Sequence, residues 1–258
     1  MNRSERQAQI AEIIRQEDSV TVEELARQFQ VTPQTIRRDI NHLCDQGIAQ
    51  RRHGGAQRIG VSGNVAYDCR QILNGDAKLR IAREVARHVP NGASIAFSIG
   101  TTPEIVSRSI LSHQYLRVFT NNLNIAMLVC QNPTFEVTVA GGRLRNGDRD
   151  VLGAGVETLF RAYKVDIGVY GVAGVDADGT LLDFSEEEVR ARQTIRANSR
   201  ASFLVLDHTK FGRAAHVRGG HIAEADKIFC DRTPPDNILE QIGRSDAEWI
   251  RCAGDSAP

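Results

Sequence analysis

The run Thr32-Pro33-Gln34-Thr35-Ile36-Arg37-Arg38-Asp39-Ile40 leaves its stretch of chain little conformational choice. Thr32 can accept a backbone N–H as a helix N-cap. Pro33 in the first helical position loses nothing there, because its missing N–H would have had no partner. A helix that begins at Pro33 sets Ile36, Ile40 and Leu43 at i, i+4 and i+7, on one side, facing a core. Gln34, Thr35, Arg37 and Arg38 then point outward. A short helix that is apolar on one side and carries an amide and two guanidinium groups on the other suits the groove of a DNA duplex.

The flanking residues extend this reading. Thr21-Val22-Glu23-Glu24 has the spacing of a capping box, and Val22, Leu25, Ala26 and Phe29 supply the apolar stripe of a short helix ending near Gln30. Two short helices joined by Gln30-Val31-Thr32 make a helix-turn-helix. Ile10, Ile13 and Ile14 mark an earlier helix that closes a three-helix core. Beyond the reading helix, Gly47 is expected to end it, and residues 48–56 read as a strand, a Gly-Gly turn and a short return, a basic wing. Between residues 32 and 58 the bases Arg37, Arg38, Arg51, Arg52 and Arg58 face only Asp39 and Asp45 as acids, although the whole chain has a formal net charge of zero. The basic character is local.

With 258 residues and 41% hydrophobic content, the chain can bury the cores of one small and one medium domain. Its five cysteines, Cys44, Cys69, Cys130, Cys230 and Cys252, are scattered, with no Cys-x-x-Cys pair. They suggest neither a disulfide framework nor a zinc site, and Cys44 beside Leu43 reads as a small core residue. No apolar run approaches the roughly 18 residues needed to span a bilayer. A cytoplasmic protein without cofactor, metal or membrane attachment is expected.

The expected organisation is a winged helix-turn-helix domain over residues 1–58, a linker over 59–76, an α/β domain over 77–252 and a short tail. The linker is rich in Gly, Ser and Asn and lacks apolar periodicity. After a helix carrying Leu79, Ile81, Ala82, Val85 and Ala86, strands are expected at 93–99, 116–120, 135–140, 166–172, 201–207 and 228–231. Helices are expected at 103–111, 123–130, 186–198 and 236–242. The alternation argues for a doubly wound parallel sheet. Ligands of such sheets sit beyond the carboxyl ends of the strands, where helix N-termini attract anions. Gly100, Thr101 and Thr102 follow one strand end. Asn121 and Asn122, Gly141 and Gly142, and Gly171 and Gly174 follow three others, so these residues are candidates for one polar rim. Lys210, one of only four lysines, can lend it positive charge; Arg190 and Arg192 are further candidates that could instead pair with Glu187 or Glu188.

Taken together, Arg6, Ile10, Ile14 and residues 32–40 resemble the N-terminal signature of the DeoR family of bacterial repressors. Arg52-His53-Gly54-Gly55-Ala56, Ser98-Ile99-Gly100-Thr101-Thr102-Pro103, Thr120-Asn121-Asn122, Ala140-Gly141-Gly142 and Asp207-His208-Thr209-Lys210-Phe211-Gly212-Arg213 continue the resemblance in the family's order. It implies a C-terminal sensor domain similar in fold to ribose 5-phosphate isomerase. It also implies a phosphorylated small-molecule inducer, with sn-glycerol 3-phosphate expected, and repression of a carbohydrate or glycerol operon. Thr32, Gln34, Thr35, Arg37, Arg38, Arg51, Arg52 and His53 would then meet double-stranded operator DNA. A homo-oligomer, dimer or tetramer, is expected, because one reading head contacts too few base pairs to be selective. A DeoR-type regulator of another sugar phosphate, and more distantly an isomerase with a DNA-binding head, are the alternatives. Isomerisation needs a carboxylate base. The isomerases place theirs where this chain has Gly171-Val172-Ala173-Gly174-Val175, so a sensor without turnover is expected; Asp176, Asp178 and Asp183 lie downstream.

Overall fold

The computed structural model describes residues 3–17, 19–45, 48–58 and 67–253, and the chain divides into two compact units after Gly75. In the first unit, helix α1 spans Arg3–Glu17, strand β1 Ser19–Thr21, α2 Val22–Phe29 and α3 Pro33–Asp45. The capping box forms as the spacing predicts: Glu24 N–H donates to Thr21 Oγ1 at 3.2 Å and Thr21 N–H to Glu24 Oε2 at 2.9 Å. Gln30 ends α2 in the left-handed region at φ 51°. Ile10, Ile14, Leu25, Ile36, Ile40 and Leu43 close the helical core, each such burial being worth about 1.5–3 kcal/mol before the cost of ordering the chain. The expected stop at Gly47 lies outside the described residues.

Strands β2 (Ala49–Arg52) and β3 (Gly55–Arg58) form the wing, with β3 between β1 and β2. The turn is His53-Gly54 rather than Gly-Gly. The two glycines have different reasons to be there. Gly54 sits at φ 79°, a region L side chains avoid, whereas Gly55 belongs to the strand, and a Cβ there would run into the Val20 carbonyl oxygen. The wing can therefore dock on β1 only because Gly55 has no side chain. Helix α4 (Tyr67–Ile72) occupies part of the segment expected to be a plain linker, and residues 59–66 of that segment lie outside the described residues.

The second unit opens with α5 (Gly75–Arg87), whose Ile81, Ala82 and Val85 are buried while Leu79, counted on the apolar face by sequence, is exposed. There follow β4 (Ser94–Phe97), α6 (Thr101–Ser109), β5 (Arg117–Thr120), α7 (Leu123–Val129) and β6 (Glu136–Val139). Next come a small hairpin of β7 (Leu144–Arg145) and β8 (Asp150–Val151), then α8 (Ala154–Ala162) and β9 (Val165–Tyr170). The remainder is β10 (Gly174–Val175), β11 (Thr180–Asp183), α9 (Glu186–Ala197), β12 (Ser199–Val205), β13 (Val217–His221), β14 (Lys227–Cys230), α10 (Asp236–Gly243) and β15 (Glu248–Arg251). Seven strands make a parallel sheet in the order β15-β14-β12-β9-β4-β5-β6, and β10, β11 and β13 make a small antiparallel sheet. One sheet face buries Ile95, Phe97, Val118 and Val169 with Ile81, Val85, Val106, Ile125 and Val129 of α5, α6 and α7. The other buries Ala96 and Phe119 with Val156, Phe160, Ala191 and Ile195 of α8 and α9. This is the doubly wound α/β arrangement.

The strand order carries functional information. From β4 the chain works outward through β5 and β6, then returns to pair β9 on the other side of β4 and continues outward through β12, β14 and β15. The order reverses between β4 and β9. In open α/β sheets the crevice beyond the carboxyl ends of the strands at such a reversal is where ligands bind.

Gly55→Ala should overpack the wing against β1 and cost the first unit roughly 1–3 kcal/mol, read as a lower urea midpoint. An unchanged midpoint would contradict the close approach.

Candidate DNA-reading face and effector site

On α3 the residues not taken up by the core are presented outward: Gln34, Arg37 and Arg38 are exposed, spaced i, i+3 and i+4. Thr32 and Thr35 are used locally. Thr35 N–H donates to Thr32 Oγ1 at 3.2 Å, and the two hydroxyls lie 2.9 Å apart, so both serve the helix start. On the wing, Arg51 donates to Asn41 Oδ1, Arg52 donates to Ser19 Oγ at 3.2 Å, and His53 is exposed at the turn. Asn41, which sequence reasoning did not single out, thus ties wing to helix.

Asp39 also changes meaning. Counted by sequence against the basic face, it is in fact 1% exposed and points inward, accepting from Arg6 Nε at 2.6 Å and Gln7 Nε2 at 2.9 Å. It locks the reading helix to α1 and removes its own charge from the outer surface.

In the second unit, the reversal of strand order brings two candidate segments together. Gly100, at φ 123°, precedes α6 and leaves that helix with no side-chain N-cap. It and Gly171, beyond β9, both approach the ring of Pro103, from which a Cβ would stand 3.4 Å away at Gly100 and 3.6 Å away at Gly171. Thr101 and Thr102 form the first turn of α6, both buried. Sequence reasoning missed Lys78. It is 3% exposed on the first turn of α5, and its Nζ donates to Thr101 Oγ1 at 3.0 Å. Burial of a lysine is costly unless its charge is met. Asp207, two residues beyond β12, lies within electrostatic reach of both Lys78 and Lys210. Burial works to raise the Asp207 carboxyl, but Lys210, Thr209 and Lys78 outweigh it and hold it below the usual carboxylate range. Lys78 thus stands at the open N-terminus of α6, and Lys210 shares with it the Asp207 carboxylate.

The other candidates sit around β8. Asn122 caps α7, accepting from Asn124 N–H at 2.8 Å and Ile125 N–H at 3.3 Å, and donates to Glu104 Oε1 at 2.7 Å. Asn121 donates from Nδ2 to Val151 O at 2.7 Å. Gly142 lies against Val151, and Gly141 against Gly155 of α8. Arg145 of the hairpin holds this side together, reaching Asp150 at 2.7 and 2.9 Å, Glu188 at 2.7 Å and Asp148 at 3.1 Å. Burial opposes its charge, and Asp150 and Glu188 hold its pKa above the ordinary value. Gly174 has a packing reason of its own: a Cβ would collide with the Arg213 carbonyl oxygen. Arg190 pairs with Glu186 at 3.0 Å, not with Glu187 or Glu188, and Arg192 with Asp183 at 3.0 and 2.8 Å.

The segment Gly171–Val175 carries no carboxylate of its own, but Asp183, one of the downstream acids, comes back against it. Although ten residues downstream, it folds back on β11 and accepts from Ala173 N–H at 3.0 Å. Its other oxygen accepts from Nε and Nη2 of the buried Arg192, so the carboxylate is engaged in a buried ion pair.

Residues 6–60 match the family model for a DeoR-like helix-turn-helix domain, and residues 73–232 match that for a DeoR C terminal sensor domain. The glycerol-3-phosphate regulon repressor of Escherichia coli is 40% identical over 94% of this chain and 96% of its own length. The repressor of the same name from Haemophilus influenzae is 38% identical over 98% and 99%. Among solved structures, ribose 5-phosphate isomerase A from Methanocaldococcus jannaschii is 17% identical, with a TM-score of 0.40 over 54% of this chain and 56% of that one.

Two outcomes follow for stability. Asp39→Ala should strand the Arg6 guanidinium and cost roughly 3–5 kcal/mol, whereas Asp39→Asn keeps two acceptor lone pairs and should cost less; urea unfolding of both variants reads the difference. Asp207 binds its proton less readily folded than unfolded, so the stability it contributes is present above the ordinary Asp range near pH 4 and is lost as pH falls through the folded value. Between about pH 6 and pH 3 the urea midpoint of Asp207→Asn should fall less steeply than that of the wild type.

Proposed function

We propose that this chain, which belongs to the DeoR family of transcriptional repressors, binds operator DNA through α3 and the wing and leaves it when a phosphorylated metabolite occupies the second unit. The metabolite we assign is sn-glycerol 3-phosphate, the compound named in the regulon of relatives 38–40% identical over nearly the whole chain. The observation that carries the reading is the pairing of Lys78 with Thr101 at the uncapped start of α6, beside Lys210, at the reversal of strand order. Backbone N–H donors, two hydroxyls and two ammonium groups suit a phosphate, and the carboxylate among them, Asp207, is engaged with the lysines and Thr209.

On the DNA side, Gln34 near the helix start is placed for base edges, and Arg37 and Arg38 for bidentate readout of guanine or for phosphates. Arg51, Arg52 and His53 approach the backbone from the wing. One such head covers too few base pairs for selectivity in a genome, so the repressor acts as a homo-oligomer, dimer or tetramer, on repeated or palindromic half-sites. This is a cytoplasmic role.

Two experiments test the reading. With an operator selected from a random-sequence pool, replacing a base-reading arginine costs roughly 1–3 kcal/mol and relaxes specificity at one position, whereas replacing a phosphate contact weakens all sequences alike and flattens the salt slope by about one. Arg37→Ala should behave in the first way and Arg51→Ala in the second. In thermal melts against a panel of phosphorylated metabolites, sn-glycerol 3-phosphate should stabilise the protein most, by about 2.7 kcal/mol at a hundred times its Kd. A larger shift with a different sugar phosphate reassigns the inducer, and turnover of any of them contradicts the sensor role.

A further inference from the structure

The arginines of the candidate reading face, Arg37 and Arg38 on α3 and Arg51 and Arg52 on the wing, pair with no carboxylate among the described residues. By contrast, Arg161 pairs with Glu157 at 2.8 Å, Arg190 with Glu186 at 3.0 Å and Arg218 with Asp178 at 3.2 Å, all on the surface of the second unit. The two wing arginines are nonetheless held. Arg51 donates from Nη2 to Asn41 Oδ1, and Arg52 donates from Nη1 to Ser19 Oγ at 3.2 Å. Both acceptors are neutral.

A neutral acceptor does here what a carboxylate cannot. Either one restricts the rotamers of a long arginine side chain, but a carboxylate also cancels the charge that attracts a phosphate. The amide oxygen takes one N–H of the guanidinium and leaves the positive charge and the other donors for a second acceptor. Asn41 stands where such a hold serves DNA. Gln34, Arg37, Arg38 and Asn41 follow at i, i+3, i+4 and i+7, so Asn41 closes the outward stripe of α3, and Arg51 reaches it from β2 of the wing. The acid two residues earlier on α3, Asp39, is turned inward onto Arg6 and Gln7 and leaves that stripe its charge.

We infer that Asn41 is a positioning residue for DNA binding. It holds the Arg51 guanidinium, still fully charged, ready for a backbone phosphate, and it adds to affinity through Arg51 rather than through a contact of its own with DNA. The inference rests on the wing being part of the DNA-binding face proposed above. Preorganisation of this kind raises affinity by removing a cost of ordering that would otherwise fall at binding. It therefore shows as a coupling between Asn41 and Arg51, not as the sum of two separate contacts.

The test is the affinity of the full-length protein for selected operator DNA at several salt concentrations, in Asn41→Ala, Asn41→Asp, Arg51→Ala and the Asn41→Ala, Arg51→Ala double variant. Asn41→Ala should bind roughly two- to twelvefold more weakly, the cost of immobilising one free arginine side chain, with the salt slope of wild type. In the Arg51→Ala background the same change should have no effect. Asn41→Asp keeps the acceptor but adds a charge, and should bind more weakly with a slope about one unit shallower. A loss from Asn41→Ala that is as large without Arg51 as with it means that Asn41 touches DNA itself, and overturns the assignment. Wild-type affinity in either Asn41→Ala or Asn41→Asp overturns it as well, and the Asp variant, which keeps the tie, decides the matter should the Ala variant not fold. If Arg51→Ala binds as tightly as wild type, the reading of the wing itself fails and the assignment goes with it.

Discussion

The pairing of Ile95–Phe97 with Ile167–Val169, β4 against β9, is the contact on which the architecture of the second unit turns. It joins strands some seventy residues apart in the chain and sets the reversal of strand order in the middle of the sheet. One residue makes it compatible with the layer above. Gly168 faces α9, and a Cβ there would run into Ser199 Oγ and lie 2.8 Å from Ile195 Cγ2. A side chain at Gly168 would push α9 off the sheet, and α9 carries Arg192, which engages Asp183, and Glu188, which engages Arg145. The Arg192–Asp183 and Glu188–Arg145 pairs both depend on that packing.

Much of this is legible in the sequence, and what is not legible has physical causes. The cap at Thr32, the capping box at Thr21 and the alternation of buried strands with helices are local signals, written within a few residues. The small residues Gly100 and Gly171 that follow β4 and β9 are legible for the same reason, since small residues suit the turns at strand ends. Lys78 is not. Nothing within its own helix distinguishes it from a surface lysine, and its role exists only because α5 is laid across the start of α6. Asp183 is hidden likewise, because its return to Ala173 passes through the three-stranded side sheet of very short strands. Helix α8 and the β7–β8 hairpin escape notice because their Gly-rich, charged starts read as loop. Asn121 and Asn122 look equivalent in sequence, and only the structure separates a helix cap from an amide tied to the Val151 carbonyl.

For a DeoR repressor the two units must share a free energy. An inducer that binds equally well to the DNA-competent and DNA-incompetent states shifts nothing, however tightly it binds. The chain offers a short covalent route for such coupling. Lys78 lies in the first turn of α5, three residues after the division at Gly75, and its ammonium is already committed to Thr101. On the proposed function, a phosphate at the start of α6 would compete for that ammonium and for the attraction of Asp207, and binding would perturb the helix with which the second unit opens. A coupling of 1–3 kcal/mol, roughly 5- to 150-fold in affinity, is ordinary for such switches.

Linkage makes that claim reciprocal, and the reciprocity is its most direct test. The affinity of the full-length protein for sn-glycerol 3-phosphate should be measured twice, once free and once saturated with selected operator DNA. The operator-bound protein should bind the metabolite roughly 5- to 150-fold more weakly, by the same factor with which the metabolite weakens operator binding. Equal affinity in the two states would contradict it.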